Sequence, residues 1–348
     1  MRAFLKRQLW PSWQQRKRML VAQATVCIPL LYVLLIFAYL WPPHFRHTSP
    51  GYVLTAWAAF MVRTFTFHLG LFAAVVAVFA WVIRRRRLAV VCLPLVLATL
   101  APACWQYRPR SVTPADGPTL KVTSANLLAM NRHTEPLIAE IREADADILL
   151  LQEYTPHWHE ALTQAFETDY PHRVHVPQED CFGMAIYAKY PFVADPQTHL
   201  PLGEGLEPQM RAVIDWSGQR IAVYNIHLLP PRRLDYIVEH RVQWADLLDL
   251  LKTESLPAII GGDFNLTEHS PHAAAIRDLG YLDAHAVAGS GRGATWPVNS
   301  IFRYLPGLRL DHVYLSRQWQ CHACRTGVGR SSDHRPLSVR MSLGRQGQ

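Results

Sequence analysis

Acidic residues are nearly missing from the first third of the chain. Residues 1–118 hold one, Asp116, against 14 Lys/Arg, a formal charge of +13. Residues 119–348 hold 26 acids against 21 Lys/Arg, a formal −5, so the overall +8 describes neither part. A protein built to grip nucleic acid concentrates positive charge on the domain that meets phosphate. The C-terminal part has no such excess, which argues against a dedicated nuclease. Cysteine is sparse as well, six in 348 residues. Cys27, Cys92 and Cys104 fall in apolar runs and read as small buried hydrophobes. Cys321 and Cys324 form a C-x-x-C without a second pair, which excludes a four-cysteine zinc site and leaves a disulfide or an inert surface pair.

Long apolar runs are what the first third does have. Residues 20–41 carry no charge, and their length suits a hydrocarbon core of about 30 Å. Residues 64–83 form a second run and residues 88–105 a third, whose Pro94 and Pro102 a membrane helix tolerates. Three transmembrane helices are therefore expected. Residues 52–62 are also largely apolar; they extend the second helix or lie in the interface, since Arg63 opposes a deep continuous span. A cleavable signal peptide fits the first run poorly, because the run is too long and two more follow.

Lysine and arginine then set an orientation. Residues 1–19 form a basic, cytoplasmic N-terminus, with six Lys/Arg before position 19. The connection 42–63 carries only Arg46 and Arg63 and faces out, whereas the turn Arg84-Arg-Arg-Arg87 faces in. A multi-pass protein of the cytoplasmic membrane follows, with its C-terminal domain periplasmic or extracellular. Residues 106–118, rich in Pro and Gly, read as a linker.

From Leu120 the pattern changes to short apolar strands alternating with helical periodicity, the sign of an α/β domain over about residues 119–343. Several strands end on polar residues. Leu120-Lys-Val-Thr-Ser-Ala runs into Asn126, and Ile148-Leu-Leu-Leu-Gln into Glu153. Ile221-Ala-Val-Tyr-Asn-Ile ends at His227, and Ala258-Ile-Ile-Gly-Gly leads to Asp263 and, two residues on, Asn265. Leu310-Asp311-His312 and Ser331-Ser-Asp333-His334-Arg-Pro complete the set. In an extended chain Asp333 and His334 would point to opposite faces.

Singly, each has an ordinary explanation as a cap or a turn. Together they suit phosphoester hydrolysis. Hard oxygen ligands such as Glu153 suit Mg²⁺ or Mn²⁺, which offsets phosphoryl charge. A carboxylate or imidazole must orient and deprotonate water. Neutral or cationic donors must hold the non-bridging oxygens. An Asp can orient a His and raise its pKa, and Asp311 is the natural orienter of His334.

The seven ordered motifs around Asn126, Glu153, Gly183-Met-Ala-Ile-Tyr-Ala-Lys-Tyr-Pro191, His227, Asp263/Asn265, Asp311 and Asp333/His334 resemble the endonuclease/exonuclease/phosphatase superfamily. That is the group of deoxyribonuclease I, AP endonucleases, inositol-polyphosphate 5-phosphatases and neutral sphingomyelinases. The resemblance implies a four-layer sandwich, two packed β-sheets flanked by helices. It implies Glu153 as principal metal ligand with Asn126 and Asp333 beside it. It implies that Asp263 and Asn265 orient water and phosphate, and that His227 donates to a phosphate oxygen. The Asp311–His334 pair would act as base or as transition-state stabiliser. Three membrane helices ahead of such a domain resemble the bacterial membrane-anchored branch, which includes proteins associated with glycopeptide (teicoplanin-type) resistance.

The expected function is thus a membrane-anchored, metal-dependent phosphodiesterase or phosphatase acting on a lipid-linked or small phosphate substrate. Trp296 and the loop Leu228-Leu-Pro-Pro231 are candidate rim elements, with Trp296 a substrate contact beside Asn265 and His227. The expected partners are the bilayer and the phosphorylated substrate, with nucleic acid disfavoured and no obligate protein partner evident. An extracytoplasmic nuclease and a non-catalytic sensor of the same fold are the alternatives.

Overall fold

A computed structural model describes residues 12–108, 110, 117–298 and 301–344. Most of the basic N-terminus and of the expected linker lies outside these residues. The chain forms two compact units, one of Met1–Pro42 with Ala58–Trp105, the other of Pro43–Trp57 with Gln106–Gln348.

The first unit is helical. Helix α1 (Trp13–Leu40) begins earlier than its apolar run because Ser12 and Gln15 form a reciprocal capping box. Helix α2 (Pro50–Thr64) breaks at Phe65 and meets α3 (Thr66–Val82) at a bend of 59°. Helix α4 (Arg86–Trp105) starts inside the basic turn. The expectation of three spanning helices is met by two outright and by the third only conditionally. Among the described residues α1 and α4 are each long and apolar enough to cross a membrane, and a third span exists only if the bent α2–α3 pair counts as one. The reason is length: the break at Phe65 leaves α3 with 17 residues, at the low limit for a span of about 17–25 residues.

Ile28, Leu31 and Leu35 of α1 pack with Ala73 of α3 and Cys92 and Leu95 of α4. Gly70 lets α3 approach α4, since a Cβ there would lie 2.2 Å from the Thr99 hydroxyl. Val26, Val33, Val75 and Leu97 point outward and are exposed, as lipid-facing residues are.

The second unit is built on two sheets. In the first, strands run in the order β10-β11-β1-β2-β4-β3. Their spans are β1 Leu120–Asn126, β2 Ile148–Gln152, β3 His172–Val176, β4 Met184–Ala188, β10 Trp319–Thr326 and β11 Leu337–Leu343. The second has the order β5-β6-β7-β9-β8, with β5 Met210–Trp216, β6 Gln219–His227, β7 Ala258–Asp263, β8 Leu282–Asp283 and β9 Asp311–Leu315.

Both β2 and β4 are buried at every position, and apolar but for Gln152 and the Tyr187 hydroxyl, because both their faces are covered. Ile148, Leu150, Met184 and Ile186 face the core shared by the two sheets. Leu149, Leu151, Ala185 and Tyr187 face the other way, onto Leu137 and Ile141 of α5 (Glu135–Ala144) and Trp158 and Leu162 of α6 (Pro156–Ala165). Beyond the second sheet, Trp244 of α7 (Leu234–Thr253) packs edge-on against Phe264. This is the four-layer arrangement that the resemblance implied. Cys321 and Cys324 are free thiols buried in the inter-sheet core, neither disulfide-bonded nor on the surface.

Residues 43–57 belong to this second unit and lie along α7. Arg241 donates to the carbonyls of His44 and His47, Arg46 pairs with Asp246 at 2.7 Å, and Trp57 Nε1 donates to the Pro231 carbonyl at 3.1 Å.

Candidate active site

Strand register brings the polar strand ends together. In the second sheet His227 lies beside Asp263 in the parallel β6–β7 pair, and Asp263 faces Asp311 in the antiparallel β7–β9 pair. Three neighbouring strands thus present His, Asp and Asp at one end. In the first sheet Asn126 is in register with Gln152, the residue before Glu153. The two ends meet at Asn126, whose Nδ2 donates to Glu153 Oε1 at 3.0 Å and to Asp263 Oδ2 at 3.1 Å.

The backbone is forced where these strands stop. Glu153 has φ +56° and Asn265 φ +51°, left-handed conformations that cost a non-glycine residue energy. Gly262 cannot be replaced freely, since a Cβ would lie 1.8 Å from the Ile226 carbonyl. Glu153 is held by the Ala129 N–H on Oε2 at 2.7 Å. Asp263 Oδ1 accepts the Asn265 N–H at 3.0 Å, and Asn265 Nδ2 donates to the Leu228 carbonyl at 2.9 Å.

Asp333 and His334 sit in a loop before β11, not in an extended strand. The expected opposition of their side chains is therefore replaced by convergence. Ser332 helps form this loop, donating to the Asn126 carbonyl at 2.8 Å and accepting from the His334 N–H at 3.1 Å. His334 Nδ1 bonds Asp311 Oδ2 at 2.8 Å, and its Nε2 lies 3.6 Å from Asp263 Oδ2. Trp296 Nε1 donates to Asp333 Oδ2 at 3.1 Å, so this residue, expected at the rim, holds an acid of the site.

Burial and charge set the protonation here. Burial disfavours charge on His334, but Asp311 and Asp263 outweigh it and push the imidazole up to about 10. Burial raises Asp263 to about 6, against the pull of His334. Burial also raises Glu153, opposed by the Ala129 and Asn126 donors, and lowers His227, opposed by Asp263.

Two groups here could hold a cation. Asp263, Asp311 and His334 bring ligand atoms within 4.8 Å of one another, but His334 Nδ1 is already committed to Asp311. Glu153 and Asp333 offer carboxylate oxygens, the donors a hard divalent cation takes, and Asn126 offers the remaining lone pair of an Oδ1 that accepts the Leu128 N–H at 3.0 Å. Asp333 Oδ1 is buried with no hydrogen-bond partner, and burial disfavours charge on Glu153. A cation would correct both, so the oxygen group fits it better.

The structure also supplies supporting residues that sequence reasoning passed over. Asn225 sits inside the Asn-Ile-His motif yet points between the sheets, donating to the carbonyls of Leu151 and Ala185 and accepting from Gln152 Nε2 at 2.6 Å. Gln209 pairs with both backbone groups of His227. Thr295 Oγ1 accepts the N–H groups of Leu310 and Asp311. Phe182 packs 5.9 Å from the His227 ring. Buried Asn and Gln between apolar sheets could have flagged the clamp; Thr295 and Phe182 give no local signal.

The model of the endonuclease/exonuclease/phosphatase family matches residues 123–334, more than half of the chain. Two UPF0294 proteins of Vibrio cholerae strains are 31% identical over 128 residues, 36% of this chain and 42% of theirs. The chain thus spans less than half the length of these curated relatives. Solved structures share the fold. A truncated TDP2 from Caenorhabditis elegans superposes with a TM-score of 0.54 at 18% identity, over 65% of this chain and 98% of that one. The 3′ phosphatase NExo from Neisseria, bound to product DNA hairpin, gives 0.52 at 20% identity over 65% and 99%. An endonuclease/exonuclease/phosphatase from Beutenbergia cavernae gives 0.52 at 18% over 65% and 72%. The chain belongs to the endonuclease/exonuclease/phosphatase family.

Proposed function

We propose that this family member is a membrane-anchored, divalent-metal-dependent phosphoester hydrolase working at the outer face of the cytoplasmic membrane on a lipid-linked or small phosphorylated substrate. The observation that carries the reading is the meeting of Glu153 and Asn126 with the buried Asp311–His334–Asp263 arrangement, with Asp333 near enough to act electrostatically on Glu153 and His334. It occurs in a chain whose first unit holds helices of spanning length.

Glu153, Asn126 and Asp333 would hold Mg²⁺ or Mn²⁺, and a bound cation offsets the negative charge of the phosphoryl oxygens. The other side chains act on the water and the ester. Asp263 orients the attacking water. Asn265 keeps a second amide hydrogen beyond its bond to Leu228, and with His227 it donates to the non-bridging oxygens. His334, oriented by Asp311 and held as the imidazolium by Asp311 and Asp263, stabilises the charge that develops in the transition state. Trp296 fixes Asp333 and borders the substrate.

The lipid side of the reading has its own support. The turn Ile301–Tyr304 follows the segment that carries Trp296, and Ile301, Tyr304 and Leu305 are 80%, 78% and 58% exposed. Such apolar exposure suits an amphiphile more than a polyanion. Residues 43–57 belong to the same compact unit as the active site, which supports one side of the membrane for both. Positive-inside counting makes that side the outer one.

The neighbour bound to a DNA hairpin favours a second reading, an extracytoplasmic nuclease. The test is hydrolysis by the full-length chain in detergent, offered lipid phosphates, lipid phosphodiesters and plasmid DNA. Turnover of the lipids that stops on chelation and in Glu153→Ala is expected. Lipid turnover indifferent to both treatments sinks the metal reading, and turnover of DNA alone with steep salt dependence installs the nuclease. No turnover of bis-p-nitrophenyl phosphate with any divalent metal would leave a non-catalytic sensor.

A further inference from the structure

The first unit contains a cavity that catalysis does not use. Its volume is about 710 Å³, and it opens between α1 and the start of α4. Arg84, Arg85, Arg86 and Arg87 form its mouth, and Thr25, Ile28, Pro29 and Val91 are among its walls. The size lies within the range of roughly 300–1,000 Å³ typical of small-molecule sites. One end is cationic and the other apolar.

The charge at the mouth is unanswered by the protein. Among the described residues none of the four arginines forms an ion pair, and the first 115 residues of the chain contain no Asp or Glu to offer one. Arg86 rests over the Trp81 ring at 5.6 Å, which orients one guanidinium without neutralising it. Positive-inside topology requires positive charge at a helix end, but it requires no cavity.

Pro29 lines the cleft from within α1. A proline within α1 cannot donate to the carbonyl one turn earlier, that of Thr25, and its ring loosens the helix there. Tyr32, one turn further on, ties α1 to α4 with its hydroxyl donating to the Val91 carbonyl at 2.7 Å.

We propose that this cavity binds the headgroup phosphate of an anionic glycerophospholipid, with an acyl chain entering between Thr25, Ile28 and Val91. Guanidinium groups match phosphate oxygens in a two-bond fork, and they are held at the depth of a lipid headgroup by the ends of two apolar helices. The bound lipid supplies the negative charge that this unit lacks and fills the cleft beside Pro29. It is a structural ligand, remote in chemistry from the substrate of the hydrolase.

Lipid retention tests this without any turnover, so its failure is separate from failure of the catalytic reading. Full-length protein in detergent is equilibrated with equal phosphatidylglycerol and phosphatidylcholine, and the lipid it keeps is counted by native mass spectrometry. Phosphatidylglycerol is expected to be kept at least about tenfold over phosphatidylcholine, the preference of a charge-assisted phosphate pair. Replacing Arg84→Lys, Arg85→Lys, Arg86→Lys and Arg87→Lys together preserves charge and topology but removes the fork. That variant should lose most of the preference while eluting as one monodisperse species. Thr25→Trp, which fills the cleft and leaves every arginine in place, should lower retention of phosphatidylglycerol by a similar factor. Equal retention of both lipids by the natural protein overturns the proposal. So does unchanged retention in both variants, or displacement of the lipid by an equal concentration of inorganic phosphate, which would make the site one for a free anion.

Discussion

The two units handle charge in opposite ways. In the first, four consecutive arginines stand exposed at a helix turn, and the first 115 residues of the chain contain no acid. In the second, charge is buried and answered: Arg309, 3% exposed, meets both oxygens of Asp283 at 2.9 Å. Opposition also holds within the active site, where one imidazole faces several carboxylates. The difference teaches where each unit obtains its specificity. The membrane unit needs only apolar length and a charge asymmetry, both one-dimensional. The catalytic unit needs distant residues brought to within hydrogen-bond reach and dehydrated there.

That contrast can be broken most severely at Glu153. Glu153→Ala should lower kcat/KM by about 1,000-fold or more, the scale of losing a metal-centred or oxyanion-type interaction. Circular dichroism and membrane insertion should be unchanged; a smaller kinetic loss would move the cation to the Asp263 group. Next comes Asp311→Asn, which leaves the strand intact but removes the partner that orients His334. A fall in kcat of about 100- to 10,000-fold with little change in KM is expected, by analogy with other Asp–His pairs. An equal loss through KM would make Asp311 a binding residue.

The third prediction concerns stability alone. Asp283→Ala takes both close bonds from the buried Arg309 and leaves it only Glu268, at 3.8 Å from its Nε, which should destabilise the catalytic unit by about 3 kcal/mol. Denaturant unfolding followed by tryptophan fluorescence measures it, and a cost below about 1 kcal/mol would mean that water reaches Arg309.

The smallest effect is a pH dependence. Burial lowers His240 to about 4, against its ordinary 6.5, while its Nε2 donates to the Phe264 carbonyl at 3.1 Å. The unfolded chain therefore binds a proton that the folded one refuses. The resulting stability is full above the ordinary value and is lost as pH falls through about 4. Melting temperature should drop across that window, and His240→Gln should flatten part of the drop. A profile identical in the variant would assign the acid sensitivity to other groups, His285 foremost, which burial also lowers to about 4.

Much of the fold was legible because its strands are buried on two faces and so read as unbroken apolar runs: Ile148-Leu-Leu-Leu, Ala185-Ile-Tyr-Ala, Ala258-Ile-Ile. Strands β3 and β10 were missed for the converse reason. His172-Arg-Val-His-Val lies at the edge of its sheet, half solvated, and Trp319–Thr326 is an edge strand interrupted by a bulge near Cys321 and Ala323. Neither shows a clean alternation. The second span was the least legible, because at Phe65 one apolar stretch divides into two helices; apolar composition reports burial in lipid but not the continuity of the axis.

Taken alone, the sequence determined the charge division, the spanning runs, the α/β domain and the roster of polar residues at strand ends. These depend on neighbours along the chain, through periodicity, run length and turn chemistry. Tertiary structure alone decided that Asp333 and His334 turn the same way, that Trp296 binds Asp333 and that Asn225 clamps the sheets. It also decided that Cys321 and Cys324 lie reduced in the core. Each of these is a contact between segments tens of residues or more apart, or a loop conformation that such contacts impose, and local pattern carries no information about a partner that folding alone brings near.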